Sequence, residues 1–143
     1  MRIFLDANIL VSVLNKEYPL FTYAARIVSL ADNKKFTVYT SPVCLAIAFY
    51  FAEKKSGTQL AKQKIKLLSE KILITGVGKN EVLQALENKQ VNDFEDGIEY
   101  YAAINNKCDV IVTEDTDDFY FADIKVSRAQ NFLTEHLFKN LPG

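Results

Sequence analysis

Three groups of acidic residues in this 143-residue chain have types and spacing that suit metal-ion chemistry. Asp6 directly follows the apolar run 3–5, and a second group lies in the sequence NDFEDGIEYY at 92–101. The third group, EDTDD at 114–118, directly follows the run VIVT. Carboxylates that lie close together repel one another, so a site that gathers them usually requires a cation. Mg²⁺ or Mn²⁺ prefers such oxygen ligands and could promote hydrolysis of a phosphodiester.

The segments around these acids predict the elements that must position them. Short apolar or β-branched runs predict strands, and apolar residues at helical spacing between them predict helices. The predicted strands span 2–5, 36–40, 72–75, 109–113 and 124–126. The predicted helices span 7–15, 19–35, 42–57, 58–71, 79–88, 94–106 and 128–138, with Ser41 and Ser127 as N-caps of the third and the last. This alternation predicts an α/β fold with three layers, α/β/α, around a parallel sheet of four to five short strands.

The predicted parallel sheet makes the positions of the acids informative about a binding site. In open sheets of this kind, ligands bind at the carboxyl ends of the strands, near a topological switch point. If strands 2–5 and 109–113 are neighbours, Asp6 meets Thr113 and Asp115 in one cleft. The helix start at 93–99 offers further carboxylates three residues apart, which share one face of a helix. An acid there is also stabilised by the helix dipole.

Each acid by itself also has a purely structural interpretation. Asp6 could cap the helix that follows it, and Asp93 could be an N-cap with Asp96 as its capping partner. The acids at 114–118 could form a solvated loop. The joint placement at strand ends favours a functional role for Asp6, Asp96 and Asp115.

Composition limits the classes of function and the compartment. The formal net charge is -1 and the sequence pI is about 5.8, which excludes nucleic-acid binding by overall positive charge. Cys44 and Cys108 form no CxxC pair, so we expect buried, reduced thiols rather than a zinc site. No apolar run approaches the ~18 residues that span a bilayer. We therefore expect one domain over residues 1–143, cytoplasmic and without a membrane segment.

At the level of motifs, FLDANILV, DFEDGIEYYAA and DVIVTEDTDDF resemble the three signatures of the PIN domain. This nuclease fold includes the ribonuclease toxins of bacterial toxin–antitoxin pairs. The resemblance covers nearly the whole chain, and its most specific part is Thr113-x-Asp115-x-x-Asp118-Phe119. It implies a ribonuclease that depends on Mg²⁺ or Mn²⁺ and acts on RNA. It also implies an antitoxin protein as partner and a homodimer.

The resemblance assigns roles to individual residues. It implies that Asp6, Asp96 and Asp115 are catalytic metal carboxylates and that Asp118 is a further metal ligand. Asn8 and Thr113 are then polar residues that support these carboxylates. Phe119 resembles the apolar anchor of the acidic loop.

One departure from the family pattern concerns the helix after the second strand. The family usually has a glutamate about six residues after the position of Ser41, where this chain has Ile47. The first acid beyond it, Glu53, is displaced by about 9 Å along a helix. A neighbouring carboxylate, Asp93 or Glu99, would have to compensate, and Asp93 is taken here as a supporting residue.

This departure leaves a second interpretation open, a PIN fold that has lost catalysis and binds RNA or protein. A third, a phosphatase of the haloacid dehalogenase type, is disfavoured because Asn8 stands where a proton-shuttling acid is required. Five lysines could hold an RNA backbone if they face the cleft, although a solvated helix face explains them slightly better: Lys54, Lys55, Lys62, Lys64 and Lys66.

Overall fold

A computed structural model describes residues 1–138 and shows one five-stranded, all-parallel sheet flanked by helices. The strands are β1 (Arg2–Leu5), β2 (Thr37–Thr40), β3 (Leu73–Ile74), β4 (Val110–Val112) and β5 (Lys125–Ser127). The α-helices are α1 (Ala7–Leu14), α2 (Leu20–Ser29), α3 (Pro42–Ser56), α4 (Thr58–Lys71), α5 (Lys79–Glu87), α6 (Phe94–Asn105) and α7 (Ala129–Leu133). The predicted α/β fold is therefore confirmed.

The order of the strands, β3-β2-β1-β4-β5, brings the first and fourth strands together at the centre of the sheet. The chain moves outwards from β1 to β3 and then crosses back to place β4 against the free side of β1. The point where the order reverses, between β1 and β4, is the position at which such sheets open a crevice at their carboxyl ends.

The central strands carry apolar side chains at 3–5 and 110–112, as expected for a sheet that is covered on both faces. Ile3, Phe4 and Leu5 are fully buried, and Leu5 is in register with Val112. The backbone N–H of Asp6 continues this pairing by donating to the carbonyl of Val112 at 3.0 Å. The residue after β1 therefore lies beside the residue after β4.

Helix α6 packs tightly against α5 because Gly97 has no side chain. A Cβ at this position would lie 2.7 Å from Val91 Cγ1 and 2.9 Å from Ala85 Cβ, distances that real Cβ atoms do not show. Gly97 directly follows Asp96, so this close approach also determines where the first turn of α6 stands relative to α5.

Several element boundaries differ from the predictions. Ser127 does not cap the last helix, because it is the last residue of β5 and pairs with Val112. Strand β3 is only two residues long and exposed, which is typical of an edge strand, and β3 is at one edge of the sheet. The predicted helix 19–35 ends at Ser29 and continues as a 3₁₀ turn, Leu30–Asp32.

The last helix and the acidic loop are also more irregular than predicted. Helix α7 passes into a π-helical turn, Thr134–Phe138, and the loop contains a 3₁₀ turn, Thr116–Phe119. The predicted domain, 1–143, extends past the described residues, so its last five positions lie outside them. Within residues 1–138, no helix has both the length and the apolar content to cross a membrane.

Candidate metal centre

Asp6 stands at the switch point of the sheet and is held by two hydrogen bonds. Its Oδ1 accepts the N–H of Ala7 at 2.7 Å, and its Oδ2 accepts the hydroxyl of Thr113 at 2.7 Å. The first contact caps α1, so the structural interpretation of Asp6 holds. The second joins it to the end of β4, so the cap does not exclude a role in a site. The Asp6 side chain is 8% exposed, so its carboxylate is almost removed from water.

Thr113 organises the polar groups around Asp6. Its single hydroxyl hydrogen goes to Asp6, so its oxygen accepts from Asn8 Nδ2 at 3.1 Å and from the backbone N–H of Asp115 at 3.0 Å. Thr113 is fully buried. The predicted partners Asp6, Asn8, Thr113 and Asp115 are thus brought together in one network.

The side chain of Asn8 has a defined orientation. Its Oδ1 accepts the backbone N–H of Glu114 at 3.1 Å, which directs the Nδ2 hydrogens towards the carboxylates. Nδ2 lies 3.2 Å from Asp115 Oδ2 and 3.4 Å from Asp6 Oδ2. Asn8 therefore offsets part of the repulsion between these two acids.

Asp96 and Asp118 complete the predicted set. Both line the same cleft as Asp6 and Asp115, which has a volume of about 400 Å³. Asp96 lies in the first turn of α6, and Asp118 lies in the 3₁₀ turn after β4. Glu95 and Glu114 also line the cleft. All four predicted metal carboxylates thus face one space.

Asp93 has a structural role in this arrangement. Its Oδ1 accepts the backbone N–H of Asp96 at 3.1 Å and thereby caps α6. The side chain is exposed and does not line the cleft described above. Asp93 is therefore the N-cap that positions Asp96. It does not line the part of the cleft where Ile47 stands in place of the family's glutamate.

The gathering of acids changes their proton affinities. Burial, together with the charges of Asp93, Asp118 and Asp6, raises the pKa of Asp96 from 3.8 to about 7. Desolvation and the charge of Asp115 also raise the pKa of Asp118. A carboxyl that resists ionisation among other acids is expected where a cation normally supplies the missing positive charge.

A buried pair lies behind Asp6. Ligand atoms of Asp6, Cys44 and Glu99 all lie within 4.8 Å of one another, and Glu99 is 1% exposed. Desolvation and the charge of Asp6 raise the pKa of Glu99 well above its ordinary value. Desolvation likewise raises the pKa of the Cys44 thiol well above normal, so Cys44 remains a neutral thiol. The spacing of Glu99 from Asp96 suggested a shared face, but its burial was not predicted.

The cleft also has an apolar wall, which the sequence analysis missed. Val11, Leu20, Ile47 and Phe51 line it, and Phe51 is 44% exposed. Residues four apart share a face of a helix, so the pair Ile47 and Phe51 on α3 could have been recognised from their spacing. Ile47, at the position of the absent glutamate, does face the cleft.

The lysines of α3 and α4 do not face the acids. No lysine or arginine within residues 1–138 lines the cleft. Lys55 donates to the carbonyl of Asn15, and Lys64 donates to Ser56 Oγ. The interpretation of these lysines as a helix face outside the cleft is therefore favoured.

The oxygen-only donor set of Asp6, Asp96, Asp115 and Asp118 suits a hard divalent cation. A PIN domain family profile matches residues 2–117. The chain belongs to the PIN domain family. No curated protein sequence matches it significantly.

Solved structures share the PIN fold at low sequence identity. VapBC-1 from nontypeable Haemophilus influenzae is 19% identical, with a TM-score of 0.70 over 91% of this chain and 99% of that chain. VapBC2 from Rickettsia felis, bound to a promoter DNA fragment, is 18% identical, with a TM-score of 0.68 over 90% and 98%. VapC20 from Mycobacterium tuberculosis, a sarcin-ricin loop cleaving toxin, is 17% identical, with a TM-score of 0.60 over 76% and 86%.

Proposed function

We propose that this PIN domain is a ribonuclease that hydrolyses RNA phosphodiesters with the help of Mg²⁺ or Mn²⁺. The observation that carries the proposal is the convergence of Asp6, Asp96, Asp115 and Asp118 on one cleft at the switch point of the sheet. Burial, together with the charges of Asp93, Asp118 and Asp6, raises the pKa of Asp96 to about 7, so the site is poised to accept positive charge. The fold shared with VapC20, a sarcin-ricin loop cleaving toxin, supports RNA as the substrate.

The residues of the cleft would have two roles, metal binding and support of the metal ligands. Asp6, Asp96 and Asp115 would hold the cation, with Asp118 at the outer edge of the site. Thr113 and Asn8 keep the carboxylates of Asp6 and Asp115 in place through the hydrogen bonds described above. A bound Mg²⁺ or Mn²⁺ would lower the pKa of water and neutralise charge on the phosphoryl oxygens.

The absence of basic residues from the cleft restricts how the substrate is held. Within residues 1–138 the cleft offers a phosphate no lysine or arginine, so the cation would have to offset the repulsion between phosphate and carboxylates. The apolar wall supplies a different contact. A half-exposed aromatic ring such as Phe51 can stack on an unpaired base. We therefore expect single-stranded RNA to bind better than a duplex.

A cleavage assay with a matched variant tests the proposal. A fluorogenic single-stranded RNA should be cleaved by the wild type in Mn²⁺ and not in EDTA. Asp6→Asn keeps the size of the side chain but removes its charge, and we expect it to abolish cleavage. Glu70→Gln, on the exposed surface of α4, is the control for a general effect of charge. Cleavage that persists without metal, or in Asp6→Asn, would overturn the proposal.

A second candidate function is a PIN fold that binds RNA or protein without catalysis. Two observations favour it: Ile47 stands at the position of the absent glutamate, and within residues 1–138 no lysine or arginine lines the cleft. It predicts that the wild type binds labelled RNA in a gel-shift assay and leaves it intact in Mn²⁺. Asp6→Asn should then bind RNA as well as the wild type does.

We also propose a protein partner, an antitoxin, and a homodimer, with residues 1–143 acting as one cytoplasmic domain. The motif resemblance to toxin–antitoxin ribonucleases and the shared fold with the VapBC structures support this. Light scattering after size exclusion would report the dimer as twice the mass of the chain, 16.2 kDa. Expression of the chain with the product of a neighbouring small gene would test the partner, because an antitoxin should copurify and suppress cleavage.

A further inference from the structure

Glu99 is a buried acid with an unused ligand atom. It lies on α6, one turn after Asp96, and is 1% exposed. Its Oε2 has no hydrogen-bond partner within the part of the chain that the structure describes. A buried carboxyl oxygen without a partner is unfavourable, so its presence requires an explanation.

The unpartnered oxygen belongs to a group that could hold an ion. The ligand atoms of Glu99, Asp6 and Cys44 lie within 4.8 Å of one another. Among the described residues, no lysine or arginine lines the cleft to which Asp6 belongs. A divalent cation would satisfy both the free oxygen of Glu99 and the charge of Asp6.

The position of Cys44 connects this group with the departure in the sequence. Cys44 lies one helical turn before Ile47 on α3, so both residues share a side of that helix. Glu99 thus approaches α3 from α6 next to the turn on which Ile47 replaces a carboxylate. The other proposed substitute, Asp93, is exposed and engaged as the cap of α6.

We propose that Glu99 supplies to the divalent cation the carboxylate that α3 lacks, so that two acids of α6, Asp96 and Glu99, act with Asp6 and Asp115. This inference rests on the proposed metal-dependent function. It moves one ligand from the helix after β2 to the helix before β4, while the centre stays between the same two strands. It also distinguishes this chain from the catalytically degenerate alternative, since the set of four carboxylates is restored.

Isothermal titration of the metal-free, full-length protein with Mn²⁺ measures this role directly, without a substrate. Glu99→Gln keeps the shape of the side chain and removes its charge. We expect it to weaken Mn²⁺ binding about tenfold or more, as loss of a supporting group at a metal site does. Glu99→Met, which is of similar length and uncharged, should show the same loss. Glu70→Gln should bind Mn²⁺ as the wild type does.

A relocation variant separates ligation from a structural effect. Ile47 lines the cleft, so Ile47→Glu in the Glu99→Gln background returns a carboxylate to the site from α3. We expect this double variant to recover most of the lost Mn²⁺ affinity. Circular dichroism melts in EDTA should show that each variant is folded before titration.

The outcomes separate the two levels of the argument. Absence of Mn²⁺ binding by the wild type, or unchanged binding by Asp6→Asn, would overturn the proposed metal site and the role of Glu99 with it. Binding that requires Asp6 but falls less than about tenfold in Glu99→Gln would overturn the role of Glu99 alone. A loss in Glu99→Gln that Ile47→Glu does not recover would also overturn that role.

Discussion

Replacing Asp96 by asparagine should make the metal-free protein more stable and, at the same time, unable to gain stability from Mn²⁺. Burial and neighbouring acids raise the pKa of Asp96 from 3.8 to about 7. Between these two values the folded chain holds the proton and the unfolded chain has released it. The free energy of unfolding of the wild type therefore falls as the pH rises from about 4 to about 7.

The size of the effect follows from the shift of the pKa. About three pKa units would correspond to about 4 kcal/mol at 1.36 kcal/mol for each unit. Asp96 is partly exposed, so solvent screening should reduce this to about 1–2 kcal/mol. Near pH 8 in EDTA, Asp96→Asn should therefore unfold with a free energy about 1–2 kcal/mol above that of the wild type.

Added Mn²⁺ should reverse this order. A cation at about one hundred times its dissociation constant stabilises the folded state by about 2.7 kcal/mol. The wild type should show this gain, whereas Asp96→Asn has lost a ligand and should show little of it. Urea unfolding followed by circular dichroism measures all four free energies, with Glu70→Gln as the surface control. The reasoning is refuted if Asp96→Asn is less stable than the wild type in EDTA, or gains as much from Mn²⁺.

Three further predictions concern the network, the apolar wall and the effect of pH. Thr113→Val should lower the free energy of unfolding by about 2–3 kcal/mol in urea denaturation, because the buried carboxylate of Asp6 loses its hydroxyl donor and the backbone N–H of Asp115 loses its acceptor. Thr113→Ser should retain most of the stability, and equal stability of the two variants would contradict the network. Phe51→Ala should raise KM for single-stranded RNA about tenfold, because the RNA base loses its stacking partner. The affinity for Mn²⁺, measured by calorimetry, should not change. An unaltered KM would argue against stacking. The affinity of the wild type for Mn²⁺ should rise between about pH 6 and pH 8, because Asp96 must lose its proton to bind. Calorimetry should show that the affinity of Asp96→Asn depends less steeply on pH. An equally steep pH dependence in that variant would exclude this explanation.

The elements that position the site were predictable because their signals are local. The runs at 3–5 and 110–112 are short and wholly apolar, which is typical of central parallel strands, and both are fully or almost fully buried. An acid that follows such a strand must lie at its carboxyl end, whatever the rest of the chain does. Asp6 and Asp115 could therefore be placed from the sequence, and the structure brings both into one cleft.

Other boundaries could not be predicted because distant groups decide them. Ser127 has the residue type of a helix cap, yet pairing with β4 makes it the end of a strand. The N–H of Ala129 is satisfied instead by Glu114 Oε2 at 3.0 Å. A carboxylate from another loop thus accepts the hydrogen bond that the local sequence predicts for the side chain of Ser127.

By itself, the sequence determined the fold class, the ends of the central strands and the acids that stand there, because alternating burial and strand ends follow from the order of residues. The tertiary structure alone decided which carboxylates point inwards. Asp93 and Glu99 lie equally close to Asp96 along the chain, and both could have replaced the absent glutamate. Asp93 stands before the first turn of α6 and is an exposed N-cap, whereas the side of α6 that meets α3 buries Glu99 beside Asp6. That difference depends on which face of α6 the core covers, and this is set by contacts between elements far apart in the chain.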